Sequence, residues 1–206
     1  MENMTYKEHG FQMFRNLFSG PALEVLQRQL RYEVRKRKNE DTLKVGDGQV
    51  TDRAALGRIA ISEAVLHTVK PIIEEAAGEE ILATYAYPVI NLPGAILKRH
   101  TDRQACEFTA TVTIYNEPEG IIWPIYAQTE DREELKIMLN PGDMCFYDGI
   151  TCDHWRDSLP DDQYNISIFL HYVRKNGEYT KWADVESQDE YTDNTIVEIL
   201  AEMDNE

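Results

Sequence analysis

A histidine and an aspartate separated by a single residue, His100 and Asp102 in LKRHTD, are the residues of this chain best suited to chemistry. In an extended segment, side chains two residues apart project from the same face, so the pair forms a two-point clamp for a metal ion. A second histidine, His154, lies much later, just past the candidate strand MCFYDG, at a separation that several antiparallel crossings of a barrel can close. Two imidazoles and one carboxylate cover a triangular face of an octahedral ion and leave three positions open, the ligand pattern of non-haem Fe(II) centres. Structural zinc sites are usually closed by four protein ligands, often paired cysteines. Cys152 and His154 make a Cys-x-His with Cys145 nearby, which permits a zinc reading, but no second Cys or His pair of finger-type spacing accompanies it. A bare His-x-Asp also arises by chance beside solvent, so its weight rests on the elements around it.

Those elements change character along the chain. In PALEVLQRQLRYEVRKRK, Leu23, Leu26, Leu30 and Val34 fall at helical spacing under a basic outer face, and Pro21 suits a first turn. The turn-rich NEDTLKVGDGQV separates this helix from a second, expected to start at a Thr51 or Asp52 cap, to run through AALGRIAISEAVLHTVKPIIEEAAG, and to be kinked or divided at Pro71. From Ile81 short β-branched and aromatic segments alternate with Gly, Pro and Asn turns: ILATYAYPVI, AILKRH, EFTATVTIY, GIIWPIYAQ, ELKIMLN, DMCFYDG and YNISIFLHYV. Strands in this number with no intervening helix predict a mainly β, α+β fold. Its core is a double-stranded β-helix, or jelly roll, flanked by the early helices. Residues 1–180 read as a single domain, with a helical part over 1–78 and the β core over 79–175. Residues 181–206 form an acidic tail in which TIVEILAEM has the pattern of one short amphipathic helix.

A chain of 206 residues that is 42% hydrophobic can bury a substantial core. Its formal net charge of −16 opposes general attraction to nucleic-acid phosphates and leaves a small molecule or a protein side chain as the expected substrate. MENMTYKEHGFQMF lacks a signal-peptide pattern and no apolar run reaches bilayer length, so the expected location is the cytoplasm. Three cysteines, Cys106, Cys145 and Cys152, are too few for a disulfide framework and read as reduced thiols.

The helical N-terminal region, the all-β region opening just before His-x-Asp, and the order turn, strand, His, strand in NPGDMCFYDGITCDHWRDSLPDDQYNISIFLHYV together carry a resemblance. Residues Ile81 to Arg174 resemble the prolyl-hydroxylase-like branch of the 2-oxoglutarate- and Fe(II)-dependent oxygenases. The resemblance implies His100, Asp102 and His154 as iron ligands, 2-oxoglutarate as co-substrate, dioxygen as oxidant and ascorbate as a candidate reductant. It also implies coupling of oxidative decarboxylation, giving succinate, to hydroxylation of an unidentified substrate. Halogenases of the class usually lack the carboxylate ligand, so Asp102 argues against that outcome. The chain departs from the pattern at one point: members usually carry a Lys or Arg about ten residues past the distal histidine to hold the far carboxylate of 2-oxoglutarate, and here DDQYNIS has no cation. Arg156, two residues after His154 and on its face if the chain is extended, is the replacement candidate. Its alternative is a structural ion pair with Asp153 or Asp157. Arg99 should face away from the ligands. Tyr85, Tyr87, Tyr147 and Ser167 are candidates for neutral hydrogen bonds to the co-substrate.

Other residues invite plainer readings. His171, inside SIFLHYV, reads as a packed core histidine, and His9 and His67 as structural. Trp123, Tyr126 and Trp155 are aromatic candidates for a cleft, with Trp155, beside the metal histidine, the favoured wall. The RKRK run at 35–38 reads as a solvated helix face, able to pair with the acidic tail. Two rivals to an oxygenase stand open: a non-catalytic β-helix or cupin-like binding module, and a cupin-type metal enzyme that ignores 2-oxoglutarate.

Overall fold

The computed structural model describes residues 5–128 and 134–183. The acidic tail beyond 183, with its expected helix, lies outside them. In chain order the first elements are α1 (Tyr6–His9), β1 (Phe11–Phe14), α2 (Gly20–Asn39), β2 (Arg53–Ala55), α3 (Ala60–Ala77), β3 (Ile81–Asn91), β4 (Leu97–His100) and β5 (Phe108–Glu117). Then follow β6 (Ile125–Gln128), β7 (Glu134–Ile137), β8 (Met144–Asp148), β9 (His154–Arg156) and β10 (Tyr164–Arg174). A six-stranded sheet ordered β1-β8-β5-β10-β3-β2 and a four-stranded sheet ordered β4-β9-β6-β7, with every pairing antiparallel, build the expected double-stranded β-helix with flanking helices.

Alternation along the long strands sorts side chains into two layers. Phe108, Ala110, Val112 and Ile114 of β5 and Ile166, Ile168, Leu170 and Tyr172 of β10 pack with Leu26 and Leu30 of α2 and Val65, Leu66, Val69 and Ile73 of α3. The Tyr172 hydroxyl donates to the Leu66 carbonyl at 2.7 Å, fixing α3 on the sheet. The residues between them face the other way, toward the smaller sheet. Two irregularities adjust this parity: Thr84 has no Cα partner where His171 pairs with Tyr85 and Tyr172 with Ala83, and Ile114 has none between Thr113 and Tyr115. The first re-aims the strand, so that Ile81 and Ala83 face the helices yet Tyr85 and Tyr87 face the smaller sheet. The second brings Asn116 to the inner face. There Asn165 accepts from Asn91 Nδ2 (2.9 Å) and Ser167 Oγ (2.8 Å) and donates to Asn116 Oδ1 (2.8 Å), a buried polar ladder across three strands.

Several sequence expectations need correcting. The second helix begins at Ala60, not after Thr51 or Asp52, because Arg53–Ala55 pairs with β3 as an edge strand and Gly57 (φ 67°) turns the chain first. Pro71 does not divide that helix, which continues to Ala77. GIIWPIYAQ is strand only over Ile125–Gln128, and β1, β2 and β9, each three or four residues long, had no assignment as strands. Among the described residues no helix is long and apolar enough to cross a membrane.

Gly142 shows how tightly the loops are bound. It has φ 91°, a region costly for other residues, and an added Cβ would lie 2.0 Å from the Phe18 carbonyl oxygen. Gly142→Ala should therefore destabilise the fold by about 1–3 kcal/mol or more, read as a lowered midpoint in urea or thermal unfolding.

Candidate metal centre

The two sheets enclose a cavity of about 550 Å³, with His100, Asp102 and His154 on its lining. β4 and β9 are paired so that His100 lies opposite His154, and their rings sit 4.2 Å apart. Asp102 follows β4, its backbone N–H donating to the Gly149 carbonyl at 2.7 Å. The Gly149 N–H in turn donates to the Glu107 carbonyl at 2.9 Å, tying the turn after β8 to the start of β5. Ligand atoms of the three side chains all lie within 4.8 Å of one another.

Hydrogen bonds orient each donor. His100 Nδ1 lies 2.8 Å from the Lys98 carbonyl and His154 Nδ1 lies 3.0 Å from the Cys152 carbonyl. A carbonyl only accepts, so each Nδ1 carries the proton and each Nε2 presents its lone pair. Both Nε2 atoms point at the same oxygen, Asp102 Oδ1, at 3.4 and 3.6 Å. The other carboxylate oxygen, Oδ2, accepts from the Thr109 hydroxyl at 2.8 Å, and Thr109 Oγ1 is 3.1 Å from His171 Nδ1. Two imidazole lone pairs and one free carboxylate oxygen, each backed by a second hydrogen bond, fit a divalent first-row metal, and no further thiolate or histidine closes the set toward structural zinc. Cys152 bends instead toward the Gln128 carbonyl, 3.5 Å away. A second group, Asp102, Cys106 and His171, also has atoms within ligand range, but it shares Asp102 with the first and is bridged by Thr109.

The electrostatics follow from burial and these contacts. Burial works to raise the Asp102 pKa, but the adjoining His100, His154 and His171 imidazoles and the Thr109 hydroxyl outweigh it and hold it at about 2. His154 is pushed down, chiefly by burial, and burial takes His171 to about 4, so that it is neutral at ordinary pH. For His100, burial is overcome by Asp102 and the Lys98 carbonyl, and its pKa rises. Burial raises the Tyr147 hydroxyl far above its ordinary value and takes Tyr87 to about 12, so both remain donors.

Arg156 shares the cavity face with His154, as two-residue spacing on β9 requires, and is only 3% exposed. Its Nη1 donates to the Trp123 carbonyl at 2.6 Å and its guanidinium lies over the Trp123 ring. No ion pair joins it to Asp153 or Asp157 among the described residues; Asp153 instead holds Arg99, which faces outward as expected. Burial lowers the Arg156 pKa to about 10, which still leaves it charged at neutral pH. Tyr85, Tyr87 and Tyr147 also line the cavity. Ser167 does not: it shares the inner face but its hydroxyl is spent on Asn165. Trp155 is not the cavity wall either, since neighbours on a strand point to opposite faces, and it stacks on Tyr126 under Arg99.

Residues from other segments complete the cavity. Gln49 Nε2 approaches His100 Nε2 at 2.7 Å, and Arg53, 3% exposed, is paired with Asp47 at 2.5 Å, which also accepts from the Tyr87 hydroxyl at 3.1 Å. Arg103 donates to the Tyr85 hydroxyl at 3.0 Å. Among the site residues that the sequence did not single out, Thr109 left a signal in the polar-apolar alternation of FTATVT.

No protein-family model matches the sequence, and neither does any curated protein. Solved structures do match in fold. A prolyl-4-hydroxylase of Pseudomonas putida is 17% identical with a TM-score of 0.62, covering 82% of this chain and 95% of that one. The non-heme alpha-ketoglutarate-dependent epimerase SnoN from nogalamycin biosynthesis is 14% identical with a TM-score of 0.65, covering 82% and 78%. HygX from Streptomyces hygroscopicus, with nickel, 2-oxoglutarate and hygromycin B bound, is 8% identical with a TM-score of 0.61, covering 83% and 85%. The chain thus has the double-stranded β-helix fold of the 2-oxoglutarate- and Fe(II)-dependent oxygenases, prolyl hydroxylases among them.

Two substitutions test the support of Asp102. Thr109→Val removes the hydroxyl that fixes Oδ2 and should weaken Co(II) binding about 10–100-fold, with Thr109→Ser restoring most of it. Gly149→Ala would place a Cβ 2.1 Å from the Cys106 carbonyl and 2.9 Å from Asp102 Oδ2, and should weaken binding at least as much. Calorimetric titration reads both.

Proposed function

We propose that this chain is a 2-oxoglutarate-dependent non-haem Fe(II) oxygenase of the hydroxylase type. The observation that carries the reading is the convergence of two lone-pair nitrogens on one oxygen of Asp102 in a cavity that also contains a buried arginine with no carboxylate partner among the described residues. His100 Nε2, Asp102 Oδ1 and His154 Nε2 would hold the metal. Bound Fe(II) with dioxygen supplies the redox chemistry that couples decarboxylation of 2-oxoglutarate to oxidation of the substrate. Ascorbate would serve only as a reductant that keeps the iron ferrous.

The chain's own residues would do the rest. Arg156 offers a fixed fork of N–H donors to the far carboxylate of the keto acid, and its burial in low dielectric strengthens that pairing. Tyr147, its ring 4.8 Å from that of His154, stays protonated and can donate to the same molecule, whereas the Tyr87 hydroxyl donates to Asp47 and could only be released to it. Thr109 and, behind it, neutral His171 keep Asp102 in one orientation. The substrate would be a small molecule or a protein side chain, in line with neighbours of this fold solved with hygromycin B or a peptide fragment.

Anaerobic addition of Fe(II) and then 2-oxoglutarate should give the weak visible band of a chelated keto acid, absent from a His100→Ala, Asp102→Ala double variant. Iron binding without the band would favour a cupin-type enzyme that ignores 2-oxoglutarate, and no metal-dependent signal would favour a binding module. Arg156→Met should weaken 2-oxoglutarate binding about 10–100-fold, the worth of a charged hydrogen bond, while the metal still binds.

A further inference from the structure

The cavity has a charge balance opposite to that of the chain around it. Asp and Glu total 37 against 21 Lys and Arg, yet the charged side chains on the cavity lining, the histidines counted neutral, are three arginines (Arg53, Arg103, Arg156) and two aspartates (Asp47, Asp102), a net of +1. A divalent metal and a doubly charged keto acid would cancel each other there and leave that excess in place. Asp47 neutralises Arg53 at 2.5 Å, Asp102 belongs to the metal set, and Arg156 would be matched by the keto acid. The remaining positive charge falls on Arg103.

Arg103 differs from most arginines of the described residues and resembles Arg156 in lacking a carboxylate partner. Seven of them, from Arg15 on Asp143 to Arg174 on Glu107, hold a carboxylate. Arg103 makes no ion pair among the described residues, although a chain this acidic offers carboxylates freely. Its guanidinium is held by aromatic and neutral contacts: it lies over the Tyr85 ring, 5.2 Å from the centroid, and donates to the Tyr85 hydroxyl. Tyr85 is itself fixed by Cys106 Sγ at 3.0 Å and by the His171 ring at 4.6 Å. Arg103 directly follows Asp102 and is exposed at the cavity, whereas Arg156 is buried within it.

We propose that Arg103, braced on Tyr85, recognises a carboxylate or phosphate group on a small-molecule prime substrate. The proposal rests on the oxygenase reading for the word substrate, but the anion site itself does not require it. A planar guanidinium fits both groups through paired N–H donors, and an anion on it would sit beside the metal ligands, within reach of the reacting centre. Arg103 is then a specificity-determining residue and Tyr85 a positioning residue acting through it.

The test is a binding screen of matched metabolite pairs, each carboxylic acid with its amide and each phosphate monoester with its alcohol. Thermal shift and calorimetry follow the protein loaded anaerobically with Fe(II) and 2-oxoglutarate, and also the metal-free protein. Acids or phosphomonoesters should bind at least about ten-fold tighter than their neutral partners; which set does so tells carboxylate from phosphate. The margin should vanish in Arg103→Gln, reverse in Arg103→Glu and shrink in Tyr85→Phe. A margin that survives Arg103→Gln, equal binding of neutral partners, or no anionic binder in the screen overturns the proposal. Failure of the oxygenase reading is separate: it appears as no binding of 2-oxoglutarate itself, with the Arg103 comparison still measured on the metal-free protein.

Discussion

Every functional contact in this molecule depends on keeping two rows of side chains apart on the long strands β5, β10 and β3. One row is apolar and packs under α2 and α3; the other is polar or aromatic and faces the cavity. A slip of one residue would exchange the rows, burying Thr109 and His171 against leucines and turning Phe108 and Tyr172 into the cavity. Hydrophobic burial at about 25 cal/mol per Å² of apolar surface sets the choice of row strongly. The irregularities at Thr84 and Ile114 are the exceptions that give the inner face its chemistry. Without the first, the parity that buries Ile81 and Ala83 would carry Tyr85 and Tyr87 away from the cavity.

The centre is also an electrostatic solution to burying a carboxylate. Asp102 is shielded from solvent, where an isolated charge would be costly, and stays ionised because His100, His154, His171 and Thr109 surround it with favourable partners. The same partners divide its two oxygens between different tasks, Oδ2 for the hydroxyl and Oδ1 for the imidazole side. Gly149 makes the arrangement sterically feasible, because the Cys106 carbonyl, Thr109 and Asp102 occupy the space that a side chain there would need.

Much of this was readable in the residues, and the failures have physical causes. The long strands and α2 announce themselves by periodicity, and the two-residue spacings of His100 with Asp102 and His154 with Arg156 place each pair on one face before any coordinates. Short elements do not announce themselves: β2 opens RAALGRIAISEAVL, whose composition is that of a helix, and pairing with β3 and a bridge to Val45 make Arg53–Ala55 extended. Trp155 adjoins His154 in sequence, yet strand alternation sends immediate neighbours to opposite faces. Arg53 and Gln49 reach the cavity from a segment whose placement depends on tertiary contacts, so nothing local marks them out, whereas Arg103 adjoins Asp102. Ser167 stands on the expected face, and only its partner, Asn165, removes it from the site.

That partner belongs to the ladder of Asn91, Asn165 and Asn116, where each amide is satisfied only when three strands align in one way. Apolar rows tolerate sliding by two residues, since one aliphatic side chain can replace another at modest cost. Buried amides cannot slide so cheaply, because each donor or acceptor left unmet costs about 1–3 kcal/mol. The ladder therefore favours one register of the three strands over its neighbours. It adds little to the depth of the native state but raises the energy of compact, misaligned sheets, among them those in which Tyr85, Thr109 and His171 would be out of line with the metal ligands.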